Sequence, residues 1–228
     1  MNVYPDCSGR YFSAKDHISC MNTFWEERFI EEGMIWGDTP SRTVEYAIRL
    51  FKSASVHEVL VPGSGYGRNA VAFAREGFLV TGIEISTTAV TLALQNPGEV
   101  RYHHGSVLDM PFDDSMYDGI YCFNVLHLFR KVDRASFLAR CLEQLKEGGV
   151  MFFVVFSDRE PGYGTGRKVE ENTFESKPGR EVHYYSEEDL VSEFRDFDVL
   201  ETGMMEDPEE HGGEGRHTHL LRYIYVRN

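Results

Sequence analysis

The hydrophobic pattern is clearest in residues 58–86, EVLVPGSGYGRNAVAFAREGFLVTGIEIS. Val59-Leu60-Val61 is a short unbroken apolar run, the size and type of a buried parallel strand. Pro62 ends it, because proline has no N–H to give to a central ladder. Gly63-Ser64-Gly65-Tyr66-Gly67 then forms a loop whose backbone can turn tightly and lie close to a ligand. Beyond it the period lengthens. Ala70, Phe73 and Ala74 share one helical face, closed by Gly77. Leu79 to Ile85 returns as a strand with Glu84 near its C-terminal end. Strand, glycine loop, helix, strand and acid predict a right-handed βαβ nucleotide-binding unit.

The flanking pattern extends this unit in both directions. Upstream, Met21, Trp25 and Phe29 recur at helical spacing opposite Glu26, Glu27, Glu31 and Glu32, and Gly33 closes that helix. Thr39 is placed to cap a second helix, with Pro40 at its first position and Val44, Ala47, Ile48 and Phe51 inward. Downstream, Ser86 caps a helix through Val90 and Leu94. Val100–His104 reads as a third strand and Tyr117–Asn124 as a fourth. Phe137, Leu138, Cys141, Leu142 and Leu145 mark an amphipathic helix ended by Gly148-Gly149, and Val150–Phe156 is a fifth buried strand. Residues 157–183, rich in glycine and charge, predict a long lid-like or binding loop. Ser186-Glu-Glu-Asp189 is a capping box. Phe197–Met205 predicts a sixth strand, 206–215 a polar loop, and Thr218–Val226 a strand closing the sheet antiparallel. The fold class is α/β: a doubly wound, mostly parallel sheet with helices on both faces.

Composition changes this picture little: 42% hydrophobic and 26% charged residues are ordinary for a globular chain of 228 residues. The formal net charge of −14 argues against nucleic acid, whose phosphates need a positive face, and against an anionic membrane surface. Cys7, Cys20, Cys122 and Cys141 contain no C-x-x-C pair, which suits a reducing compartment. With no leader pattern and no apolar stretch of membrane length, a cytoplasmic protein is expected.

Two cofactors compete for the βαβ unit. A dinucleotide site requires G-x-G-x-x-G, but the third glycine would fall at Arg68. The observed G-x-G-x-G suits an adenosine bearing an amino-acid tail. In these residues the chain resembles the class I S-adenosylmethionine (SAM) methyltransferases. Trp25-Glu-Glu-Arg-Phe29 with Trp36, and Val61-Pro62-Gly63, are similar to the thiopurine and tellurite-resistance group of that family. The resemblance implies a Rossmann-like seven-stranded sheet with an antiparallel C-terminal edge strand. It implies a single methyltransferase domain over 1–228, with 1–40 an arm and helix over the cofactor site and 157–183 a lid-like insertion. It further implies that Gly63, Ser64 and Gly65 cradle the methionine end and that Glu84, beside Ile85, takes the ribose hydroxyls. Ser106 and Val107 would frame the adenine, Phe123 would end the central strand at the ligand, and Trp25 and Trp36 would enclose the sulfonium. Many relatives carry an acid where this chain has Val61, and Asp where it has Ser106.

The expected activity is methyl transfer from SAM to a small-molecule acceptor by in-line displacement, leaving S-adenosyl-L-homocysteine. Two other readings stand beside it: a SAM-binding sensor or partner protein without turnover, and an NAD-linked oxidoreductase. A monomer or weak dimer is expected. No catalytic residue is assigned; His127, Tyr163 and His217 are candidates for the substrate pocket, and His127 for a general base. His217 and His219, two apart on a strand, would face one side and could ligate a metal. No third ligand accompanies them at a recognisable spacing, so no metal is predicted.

Overall fold

The computed structural model describes the backbone of residues 3–5, 11–96, 98–211 and 215–228, and the side chains of 23–96, 98–209 and 217–228. The elements run β1 (Val3–Pro5), β2 (Tyr11–Ser13), α1 (Ala14–Glu32), α2 (Arg42–Ser53), β3 (Glu58–Pro62), α3 (Arg68–Arg75), β4 (Leu79–Glu84), α4 (Thr87–Ala93), β5 (Val100–His104), β6 (Tyr117–Phe123), α5 (Lys131–Gln144), β7 (Leu145–Phe156), β8 (Arg167–Glu170), β9 (Thr173–Lys177), β10 (Arg180–His183), α6 (Glu187–Glu193), β11 (Asp198–His211) and β12 (Gly215–Arg227). Seven strands form the main sheet in the order β11-β12-β7-β6-β3-β4-β5. Strands β3 to β7 are parallel, and β12 runs antiparallel to both neighbours. This is the Rossmann-like sheet expected. The antiparallel C-terminal strand lies on the expected side, one place in, because β11 pairs outside it.

Strand β7 shows why the sheet is doubly wound. Phe152, Val154 and Phe156 face a cluster with Phe51 of α2 and Phe73 of α3, while Met151, Phe153 and Val155 face Phe137 and Cys141 of α5 and Phe194 after α6. Both sides of the strand are buried, so its apolar run has no alternation. No helix among the described residues is long and apolar enough to cross a membrane.

Four local expectations are corrected. The cap of α2 is Ser41, not Thr39: its hydroxyl accepts the Thr43 N–H, and its own N–H goes to Asn69. Residues 157–183 are not a bare loop but hold the three-stranded antiparallel sheet β10-β9-β8. Buried forked pairing of Arg130 with Glu181 (2.6 and 2.5 Å) ties that sheet to the start of α5. Removing one partner of such a pair costs about 3–5 kcal/mol, since the other is left buried and uncompensated. Only half the capping box forms, because Ser186 accepts the Asp189 N–H while the Asp189 carboxylate turns to His183 at 2.8 Å. Finally, 206–211 is not loop. Strand β11 runs on to His211 and pairs with β12 along a long hairpin.

Candidate active site

Strand β3 has β4 on one side and β6 on the other, so the chain leaves it in opposite directions and a crevice opens beyond the strand ends. There the structure has a cavity of about 240 Å³. Its base is the glycine loop. Gly63 (φ +66°) and Gly67 (φ +86°) take left-handed conformations, and a Cβ on either would collide, with the Val125 side chain and the Tyr102 hydroxyl respectively. Glu84 holds the loop from the next strand, its carboxylate accepting the Gly65 N–H (2.8 Å) and the Ser86 N–H (2.9 Å). Burial pushes the Glu84 carboxyl above its ordinary range against the pull of those N–H groups. Ser64 in the loop has its buried hydroxyl, and Asn124 after β6 its amide oxygen, without a hydrogen-bond partner among the described residues. Both line the cavity, so polar ligand atoms there would meet groups that need them.

One wall is aromatic. The Trp25 and Trp36 rings lie 6.1 Å apart, and Trp36 stacks on Tyr66 at the same spacing. The Tyr66 hydroxyl fixes this wall by accepting the Trp36 N–H and donating to the Gly37 carbonyl; burial pushes it up to about 12. Arg28 lies over both tryptophans, 5.8 and 5.6 Å from their centres. Across the cavity Ser106 spends its hydroxyl on the Leu108 N–H, which shapes the turn that presents Val107.

The other end is charged and imidazole-rich. Arg68, where a dinucleotide fold would have glycine, crosses the cavity beside Trp36 and Phe123 to pair with Glu209 of β11. His219 Nδ1 lies 2.5 Å from Glu160 Oε1, and its Nε2 lies 2.8 Å from Nε2 of His217. Burial pulls the His219 pKa down, but the Glu160 and Glu209 carboxylates outweigh it and hold the value at about 9. Glu209 shifts the opposite way: burial raises it, yet His219 and Arg68 bring it to about 2. His127 is 2% exposed, and its Nδ1 accepts the Phe156 N–H at 3.2 Å. Burial, with Arg180 and the neighbouring imidazoles, drives its pKa well down. The proton of this neutral ring therefore sits on Nε2, which makes His127 a donor rather than a general base.

Trp25, Trp36, Gly63, Ser64, Gly65, Glu84, Ile85, Ser106, Val107 and Phe123 all line this one cavity, together with His127 and His217. Tyr163 does not. It is 42% exposed and lies against Phe174 and Tyr184, its hydroxyl given to Asn172, because the segment carrying it folds with the small sheet. Asn124 stands beside Phe123 at the strand end where a ligand is expected, and lines the cavity; Arg68 and Glu209 were not assigned to the site from sequence. Glu209 stands directly across from His217 in the hairpin register, supplying the third ligand type that sequence spacing did not show. Gly212-Gly213 is a hairpin mark ahead of the strand-like run Thr218–Val226, but the run before it, Glu206-Asp-Pro-Glu-Glu210, carries no strand pattern.

Residues 60–153 match the family described as "Methyltransferase domain". A stretch of 132 residues is 32% identical to the O-methyltransferase resE of Aspergillus sclerotiorum, covering 55% of this chain and 48% of that relative. The chain spans about half the length of the curated relatives it matches. Among solved structures, the 1,6-didemethyltoxoflavin-N1-methyltransferase of Burkholderia thailandensis aligns with TM-score 0.73 at 17% identity, over 99% of this chain and 94% of that one. TehB of Haemophilus influenzae aligns with TM-score 0.60 at 16% identity, over 81% and 62%. These two share the fold.

Proposed function

We propose that this chain, whose residues 60–153 match the methyltransferase domain, moves a methyl group from SAM to a small-molecule acceptor. The observation that carries the reading is the convergence of four strand ends on one cavity: the 63–65 loop after β3, Glu84 and Ile85 at β4, Ser106 and Val107 after β5, and Phe123 at β6. The relatives' names, O-methyltransferase and N1-methyltransferase, support the reaction class for this chain.

When bound, SAM supplies an electrophilic methyl on a sulfonium. The chain's residues bind and orient it. Glu84, an acceptor already fixed by two backbone N–H groups, retains lone pairs for the ribose hydroxyls. Val107 and the turn capped by Ser106 would frame the adenine, and Trp25 and Trp36 would face the positive sulfur. With Val61 in place of the common acid, the amino group of the methionine moiety would find its acceptor in Asn124 Oδ1 and in loop carbonyls. Catalysis by such a site is mainly positioning. His127 holds its proton on Nε2, and His217 Nε2 faces His219, so neither histidine stands ready as a base. The acceptor must therefore arrive nucleophilic or be activated by another group.

The test uses SAM labelled in its methyl group and a panel of small thiols, phenols, carboxylic acids and amines. Transfer of label to one class, with matching release of S-adenosylhomocysteine, is expected. No transfer to any class, alongside tight S-adenosylhomocysteine binding, would instead favour a SAM sensor.

A further inference from the structure

We propose that Glu209, His217 and His219 bind a divalent transition metal of the zinc type at the edge of the cavity. The three come from facing strands of one hairpin: Glu209 on β11 pairs with His217 on β12, and His219 follows two residues on, on the same face. One ligand atom from each lies within 4.8 Å of the others. The two Nε2 atoms are 2.8 Å apart, and Glu209 Oε2 lies 3.5 Å from that of His219. Ligands about 2.1 Å from a zinc ion are roughly 3–3.4 Å apart along a coordination edge. Two of the three edges are thus close to those of a coordination face before any metal enters, and the third closes within 4.8 Å.

The groups around them support the same use. Glu160 Oε1 holds His219 Nδ1, and its Oε2 accepts the Leu220 N–H at 2.7 Å, so the carboxylate is itself fixed. A carboxylate on Nδ1 is the usual partner of a ligating histidine, because it leaves the Nε2 lone pair for the metal. Arg68 takes Oε1 of Glu209, and Oε2 remains on the side of His219. Glu160 and Glu209, with Arg68 on the latter, leave a net negative charge that partly offsets that of a dication. Two imidazoles and one carboxylate suit Zn²⁺ and its first-row neighbours, whereas Mg²⁺ prefers an all-oxygen set.

With three protein ligands, the remaining positions of the ion would face the cavity that His217 and His219 line. An acceptor hydroxyl or thiol bound there would lose its proton to solvent more readily, as metal-bound water does. That role rests on the methyl-transfer reading. The binding of the metal does not.

The chain stripped with chelator is titrated calorimetrically with Zn²⁺ and, separately, with Mg²⁺; elemental analysis then counts the bound ion. One Zn²⁺ per chain is expected, with no saturable Mg²⁺ binding. His217→Ala should weaken Zn²⁺ by about a hundredfold or more, a ligand being worth at least as much as its outer partners. Absence of Zn²⁺ binding, Mg²⁺ binding in its place, or unchanged affinity in His217→Ala would overturn the proposal. If His217→Ala does not fold, Co²⁺ on the unaltered chain decides. The intense visible bands of four- or five-coordinate cobalt support the site, and the pale spectrum of six-coordinate aquo cobalt overturns it. None of these readouts needs turnover, so failure of the metal and failure of methyl transfer are told apart.

Discussion

On the proposed reading Glu84 carries two tasks on one carboxylate: it pins the glycine loop through Gly65, and it would be the acceptor offered to the cofactor. A carboxylate can do both because it presents only acceptors, about four lone-pair sites in all. Glu84→Gln would set an NH₂ against either the Gly65 or the Ser86 N–H, which both need acceptors. We expect this variant to bind S-adenosylhomocysteine about 2–4 kcal/mol more weakly by calorimetry, the loss of charge-assisted hydrogen bonds in a buried site. Unchanged affinity would mean that the ribose is held elsewhere. The same scale explains His127. It reads in sequence as a possible base, and only its geometry, with Nδ1 taken by the Phe156 N–H, fixes the proton on the other nitrogen.

At the scale of elements, the hairpin β11–β12 is bound to the rest of the site through charge. His219 is protonated more readily in the folded chain than its unfolded value of 6.5 allows, reaching about 9. Its stabilisation is therefore complete below pH 6.5 and is lost as pH rises through about 9. Glu209, brought to about 2, contributes in the opposite direction: its stabilisation is present above 4.5 and lost as pH falls towards 2. In metal-free protein, Tm should fall between pH 7 and 9.5, and His219→Gln should flatten that limb. A variant with the same slope would exclude His219 as its source. This hairpin was also the least legible element. The parallel strands announced themselves as apolar runs buried on both faces, and Ser86 as a cap was plain. Residues 206–211 were not plain, because Glu-Asp-Pro-Glu-Glu reads as turn and solvent. Their strand is set by cross-strand pairing with His217 and His219, a long-range partner that a local pattern does not contain. The small sheet in 157–183 was hidden for a related reason: its Arg130–Glu181 anchor joins residues 51 positions apart.

At the scale of the molecule, a chain with net charge −14 gathers Arg28, Arg68, Lys177 and Arg180 around this cavity, more cations than the two acids, Glu84 and Glu209, that line it with them. Low-dielectric walls concentrate such a local field, so polar or anionic small molecules would be drawn to this crevice rather than to the acidic exterior. Around it stand α1 with Trp25 and the following loop with Trp36, the small sheet with Lys177 and Arg180, and the hairpin with Glu209 and two histidines. They leave the glycine loop and Glu84 at the base, where the proposed function puts the choice of cofactor. Calorimetric titration with S-adenosylhomocysteine and NAD in parallel tests that choice most directly. The account predicts one S-adenosylhomocysteine per chain with Kd on the order of micromolar, about −8 kcal/mol, and no saturable binding of NAD. Saturable NAD binding without S-adenosylhomocysteine binding would contradict it.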